Sequence, residues 1–280
     1  VLNNNTNYTG SLNVIGNSTS NFGVNIDGSG NAFTIEKGSA NITGNNNGTT
    51  ANTSSYGIVN QGSFYANLAT GTTLNVYANS DQNTAFYATS SGIFVNTNTT
   101  NTTMSGTMNV TANSNKAVAI ILNTKNGLTV SNGTLNILGT GNVTNDASGV
   151  SIKGSLSTSV ASTGTLNVKG SSSTGIGLSI AGTATVSLTG PSVFEGVSNS
   201  SIGVNVVYNN NYLQVNSGNT TIKGTSTSGA GFSITSGNTL STNIAANATL
   251  TIIGNSTTGY GIDLAGGTLT HNLNTNYTGT

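Results

Sequence analysis

Thirteen side chains carry most of the chemistry available to this chain: Asp27, Asp81, Asp146, Asp263, Glu36, Glu195, His271 and the lysines at 37, 116, 125, 153, 169 and 223. Two carboxyl groups under about 10 Å apart would suit glycoside hydrolysis. Asp27 and Asp263 follow similar words, but one stands near each end of the chain. A metal site needs several His, Cys or acidic ligands, and the chain has one His and no Cys. His271, in THNL, has no acid at a spacing that would orient it as a base, and reads as an exposed outward residue. Neither a G-x-x-x-x-G-K-[ST] phosphate loop nor a G-G-x-G-x-D calcium repeat is present. No catalytic, cofactor-binding or metal-ligating residue is assigned, and no cofactor is expected. The expectation is a protein that is not an enzyme.

What must position these groups is a chain of 280 residues, 4% charged, with zero formal net charge and a single Pro. More than half of it is Asn, Ser, Thr and Gly. Disordered chains usually combine high net charge with few β-branched residues; here Val, Ile, Leu, Thr and Tyr recur at short intervals, which suits strands. Without Arg and without net positive charge there is no footprint for nucleic acid. No apolar run approaches the roughly 20 residues of a membrane helix, so no membrane insertion by this segment is expected.

The dominant signal is an internal repeat, x-L-N-V-x-G. It begins at Ser11, Ser39, Thr73, Thr107, Thr134 and Thr165, then drifts at Pro191 (PSVFEG), Asn219 (NTTIKG) and Thr249 (TLTIIG). A second motif, Gly-hydrophobe-polar-hydrophobe, reads from Gly23, Gly57, Gly92, Ala119, Gly149, Gly177, Gly203, Gly231 and Gly261. In six of the nine repeats it follows the first motif at one constant offset, that from Ser11 to Gly23. The offset is longer from Ser39 to Gly57, from Thr73 to Gly92 and from Thr134 to Gly149. Looser apolar pairs close most repeats: Phe33/Ile35, Leu128/Val130, Leu156/Val160, Val186/Leu188, Leu213/Val215, Leu240/Ile244 and Leu269/Leu273.

The period inside each motif is two, which means strand. A unit of three short strands cannot repay its own ordering entropy, about 1–2 kcal/mol per residue, and must stack on its neighbours. The expected fold is all-β: a parallel β-helix solenoid of about nine coils, roughly 30 residues and three short strands each, forming a single unit over residues 1–280. Leu12, Ala40, Leu74, Met108, Leu135 and Leu166 should form one inward ladder. The outward residue beside them is Asn six times running: Asn13, Asn41, Asn75, Asn109, Asn136 and Asn167. At a coil spacing of ~4.8 Å their amides can hydrogen-bond along the axis. That makes them either a repetitive binding face or axial stabilisation with solubility, and the second is the simpler expectation. Pro191 opens the least typical repeat and reads as a local irregularity. TTANTSSY and SDQNTAFY lengthen the repeats from Ser39 and Thr73, so loops are expected beside Tyr56 and Phe86/Tyr87.

SLNVIGNSTSNFGVNI (11–26), GTLNVKGSSSTGIGLSI (164–180) and TLTIIGNSTTGYGIDL (249–264) resemble the repeats of vacuolating-cytotoxin-like autotransporters, the toxin-like outer membrane proteins of Helicobacter and relatives. As repeats, the resemblance covers nearly the whole chain. It implies a right-handed β-helix passenger at the bacterial cell surface, exported through a C-terminal outer-membrane barrel and concerned with adhesion and host interaction. Partners so implied are a host-surface receptor or glycan. The family supplies no catalytic residues, and the hydrophobic N-terminal region on which pore formation by its namesake depends has no counterpart here.

Three functions follow as expectations: a structural and adhesive surface rod, a self-assembling filament whose copies stack end to end, and a polysaccharide-active β-helix enzyme, for which only the fold speaks. TNYTG occurs at 6–10 and again at 275–279. In the repeat register Thr280 stands where Ser11 stands. The second TNYTG then reads as the entry turn of a tenth coil, with more protein expected on both sides.

Overall fold

A computed structural model describes residues 10–28, 31–49, 55–89, 92–97, 104–123, 127–142, 148–153, 155–181, 185–207, 211–271 and 275–279. These form strands and turns without a helix, and every strand pairing is parallel. The strands fall into three lanes. The first holds ten strands, from Ser11–Ser18 to Thr275–Gly279; the second holds nine short ones, from Val24–Ile26 to Ile262–Asp263. The third runs from Asn31–Ile35 to Thr268–Thr270, and the long strand Asn211–Ser226 passes without a break from the third lane into the first. The nine-strand lane spans eight full turns and the ten-strand lane one more, at roughly 29 residues per turn, three strands to a coil.

Register follows the repeat. Leu12, Ala40, Leu74, Met108, Leu135 and Leu166 are successive partners, and the drifted repeats continue the column with Ser192, Thr220 and Leu250. Along Ser39–Asn46 every second residue is buried, so Ala40, Ile42, Gly44 and Asn46 point inward. Phe64, Phe86 and Phe232 are the largest fully buried side chains of the core.

The corner between the first and second lanes explains the constant offset between the two motifs. Ser closes the first motif in seven repeats: Ser18, Ser80, Ser114, Ser172, Ser198, Ser226 and Ser256. Each hydroxyl oxygen accepts the backbone N–H three residues on, at 2.8–3.1 Å. Four of them also donate to a carbonyl of the preceding coil, as Ser198 Oγ does to Gly175 O at 2.7 Å. One side chain thus closes its own turn and ties it to the coil behind. The two repeats lacking this Ser have Asn46 and Gly141 there. Theirs are the two long corners, which reach the second motif only at Gly57 and Gly149. Ser198→Ala strips partners from the half-buried Ser201 N–H and the buried Gly175 carbonyl, so a loss of about 2 kcal/mol is expected in urea unfolding.

Three features differ from the sequence expectation. In the repeat from Thr73 the second-lane strand is Phe86–Ala88, which pairs with Ile58–Asn60 and Ile120–Leu122. Ala85 therefore takes the place assigned to Gly92. Thr73 to Ala85 is the same offset as Ser11 to Gly23, and SDQNTAFY is corner and strand, not a protruding loop. Gly92 instead precedes a third-lane strand, Ile93–Val95, stacked between Phe64–Leu68 and Leu128–Val130. Finally, Thr275–Gly279 is not an entry turn. It pairs with Leu250–Gly254 and is itself the tenth first-lane strand, with Asn276 in the Asn13 column and Gly279 in the glycine column. The first TNYTG lies outside the described residues except for Gly10.

Pro191 stands at a bend just before the strand Ser192–Ser198, where no ladder N–H is needed. The first lane stays in register on both sides, while the third lane carries the expected local irregularity, a register shift between Leu188 and Thr189.

Candidate functional surface

Beyond the Ser and Thr that open its strands, the outward face of the first lane is built from three columns. The first is the predicted Asn ladder, and all six amides come together. Asn41 Nδ2 donates to Asn13 Oδ1 at 2.7 Å; Asn75 to Asn41, Asn109 to Asn75, Asn136 to Asn109 and Asn167 to Asn136 follow at 2.9 Å. The donor always belongs to the later coil, so the ladder has a direction. An amide has two donors and two acceptor sites. Each interior Asn spends one of each on its neighbours and keeps one of each for whatever lies outside. Val193 ends the ladder. In Asn109→Ala two half-buried amides lose a partner each, and a cost of about 1 kcal/mol is expected, read as a lower melting temperature.

A second amide ladder runs four residues further along the same strands and was not anticipated. Asn45 donates to Asn17 at 2.8 Å, Asn79 to Asn45 at 2.9 Å and Asn113 to Asn79 at 3.2 Å. The signal was present in the words GNS, GNN, ANS and ANS that close the first four first-lane strands.

Between the two ladders runs a third column. It begins with Ile15, 64% exposed, and includes Tyr77 and Leu138. In coils six to eight it becomes a charged stack: Glu195 lies between Lys169, at 3.1 Å, and Lys223, at 3.5 Å. Lys169 and Lys223 face solvent as expected, while their shared acid was missed. All three groups are solvated, so each pair contributes at most about 1 kcal/mol.

The other ionisable groups are dispersed. Asp27 Oδ1 accepts the N–H of Gly28 at 2.7 Å, and Asp263 Oδ1 that of Ala265 at 2.9 Å; Asp27 follows the second-lane strand of the first coil, and Asp263 lies in that of the ninth, beside Ser233. Eight coil steps put them about 40 Å apart, far beyond the reach of a carboxylate pair. Asp81 accepts from Asn115 Nδ2 at 2.9 Å. Asp27 and Glu36 share a coil but flank the strand Asn31–Ile35, about 17 Å long. The remaining described acids are two or more coils from one another, about 10 Å along the axis alone. Among the described residues no group of three His, Cys or acidic side chains could hold a metal ion. His271 is exposed; Asp146 and Lys125 lie outside the described residues.

Aromatic groups line one corner. Phe22 stacks on Tyr56 with centroids 5.8 Å apart, and Tyr56 meets Tyr87 at 4.9 Å. Burial, and then the neighbouring Tyr87 phenol, push the Tyr56 pKa above its ordinary value. Of the aromatics expected beside the loops, where capping a turn is the simpler reading and contact with a sugar or partner the alternative, Phe86 is fully buried in the core and meets no partner. On the third lane Tyr65 stacks on Phe94 at 4.7 Å.

The fold and surface define a parallel β-solenoid with amide-laddered flanks. Neither protein-family models, nor curated proteins, nor solved structures give a match to this chain.

Proposed function

We propose that this chain is a non-catalytic structural and adhesive rod of a bacterial cell surface, a passenger segment of an autotransporter-like protein. The observation that carries this reading is the unbroken register of the first lane from Ser11 to Gly279, with the charged groups scattered along the coils. Nine coil steps make a rod ~43 Å long. Each coil contacts chiefly its neighbours, so stability accumulates one coil at a time and folding can propagate from either end. That suits a chain threaded unfolded through a narrow pore and folding as it emerges. The absence of Cys suits it too, since no premature disulfide can block passage. The resemblance to vacuolating-cytotoxin-like repeats points the same way. Its partners are then a host-surface receptor or glycan, and further coils of the same kind stacked end to end.

The test is to place the chain between the signal peptide and outer-membrane barrel of a well-behaved autotransporter. Cleavage of the chain by external protease on intact cells, together with increased attachment to epithelial cells, is the expected result. Retention in the periplasm would remove the passenger role, and display without attachment would leave only the scaffold.

A further inference from the structure

The middle residue of each second-lane strand should face solvent, because its two neighbours face the core. In the later coils it is largely covered. Ser151 is 2% exposed, Ser179 5%, Asn205 5% and Ser233 4%. They are successive partners in one column, which Asp263 continues in the ninth coil, and Ser151 and Ser179 form the bottom of a trough along the rod axis. Val118 and Ile176, from the corner before the lane, form one wall; Ala181 and Val207, with Lys153, form the other. The trough encloses about 210 Å³ around Ser151 and Ser179. In the second to fourth coils its floor is filled by Val59, Tyr87 and Ile121, so it opens only at the fifth.

The hydroxyls of Ser151, Ser179 and Ser233 make no hydrogen bond among the described residues. Only Asn205 is engaged, accepting from Thr235 Oγ1 at 3.0 Å. A covered hydroxyl left without any partner costs about 1–3 kcal/mol, so those of Ser151 and Ser179 must be satisfied from the trough they line. The core does not require them, since Val or Thr would suit the strand better than Ser.

We propose that this trough is a binding groove for an extended, uncharged glycan, a deepening of the adhesive reading above. The floor offers hydroxyl groups at ~4.8 Å intervals, close to the repeat of one sugar unit in an extended pyranoside chain. The aliphatic walls suit the C–H faces of sugar rings, and the charged groups along the column are one of each sign, Lys153 on the rim and Asp263 in the ninth coil. An extended peptide fits less well. It advances ~3.3 Å per residue, out of step with the coils, and the lane's backbone groups are already spent on neighbouring coils.

The experiment titrates the purified chain with linear neutral oligosaccharides of the cello-, xylo-, manno- and chito-series, tetra- to hexasaccharide, by calorimetry and NMR. Binding by one series is expected, weakened about tenfold or more in Ser151→Val/Ser179→Val and unchanged in Thr43→Val on the first-lane face. The double variant should melt no lower than the parent, because its hydroxyls have no protein partner to lose. Ser151→Ala/Ser179→Ala, which leaves the trough open, should also bind weakly. The groove is overturned if no series binds, or if the filled variant binds as the parent does. Attachment of the parent and the filled variant to epithelial cells, measured in parallel, separates the two proposals. Equal attachment with no oligosaccharide bound sinks the groove and leaves the adhesin; oligosaccharide binding without attachment leaves the groove and sinks the adhesin.

Discussion

Replacing Gly196 with valine is expected to destabilise the chain by about 3 kcal/mol, and alanine by about 2 kcal/mol. On propensity alone both changes would go the other way, since glycine weakens a strand interior. Packing reverses the sign. A Cβ at Gly196 would overlap the carbonyl oxygen of Gly203 across the corner and come within 2.8 Å of Val204 Cγ2. The obstructing oxygen is backbone and accepts the Leu178 N–H of the preceding coil at 2.9 Å, so it cannot turn aside cheaply. Urea unfolding of the two variants measures the loss. Hydrogen exchange should show it concentrated in the coils either side of Gly196, as expected when coils support only their neighbours. A variant as stable as the parent would mean that the corner opens freely.

The chain has run part of this experiment within itself. The glycine column reads Gly16, Gly44, Ala78, Ala112, Gly139, Gly170, Gly196, Gly224 and Gly254. The residues facing it across the corner read Gly23, Gly57, Ala85, Ala119, Gly149, Gly177, Gly203, Gly231 and Gly261. Alanine appears in both members of a pair or in neither, and all four alanines are fully buried. That pairing, with the corner serine that closes the first motif, would have placed Ala85 correctly. The pattern Gly-hydrophobe-polar-hydrophobe points to GIFV at Gly92 instead, because a pattern of residue classes cannot tell the second lane from the third. Both lanes send alternate residues into the core, and only the fixed length of the serine-closed corner distinguishes them.

The first lane was legible because one apolar pair and one Asn recur in it with little variation. Its tenth strand was not. There Thr275 holds the place of Leu12, and the preceding coil, from Leu250 to Thr275, is shorter than its predecessors. A period taken from the average coil therefore overshot it. For the candidate site the pattern is similar. The Asn13 ladder was visible as repetition of one residue, whereas the trough was not. Nothing in the words VSIK, LSIA and VNVV announces a floor. Their middle residues look like ordinary solvent-facing positions of a short strand. They become a floor only because corners and rims rise on both sides, which depends on how three lanes close into a coil.

The same closure makes Asn96 the most consequential polar residue of the third lane, and its replacement by alanine is expected to cost about 4 kcal/mol. Asn96 is fully buried and, among the described residues, is the one non-glycine with positive φ, at 55°. Its own N–H donates to Ala66 O at 2.8 Å. Its side chain reaches both ways along the axis: Oδ1 accepts from Leu68 N and Nδ2 donates to Asn132 O, each at 2.7 Å. One residue thus pins three consecutive coils at the point where the chain leaves the third lane. Alanine abandons both backbone partners and must hold a left-handed conformation that Asn tolerates better. Glycine abandons the same partners without that strain. Asn96→Gly should therefore recover about 1 kcal/mol relative to Asn96→Ala, while both stay well below the parent. If the two variants unfold at the same urea concentration, the backbone contributes nothing. If both match the parent, the side chain is not the pin. Asp at this site keeps the acceptor for Leu68 N but sets a carboxylate oxygen against the Asn132 carbonyl, so it too should fall below the parent. It should recover toward the parent as the pH is lowered enough to protonate that oxygen and restore a donor.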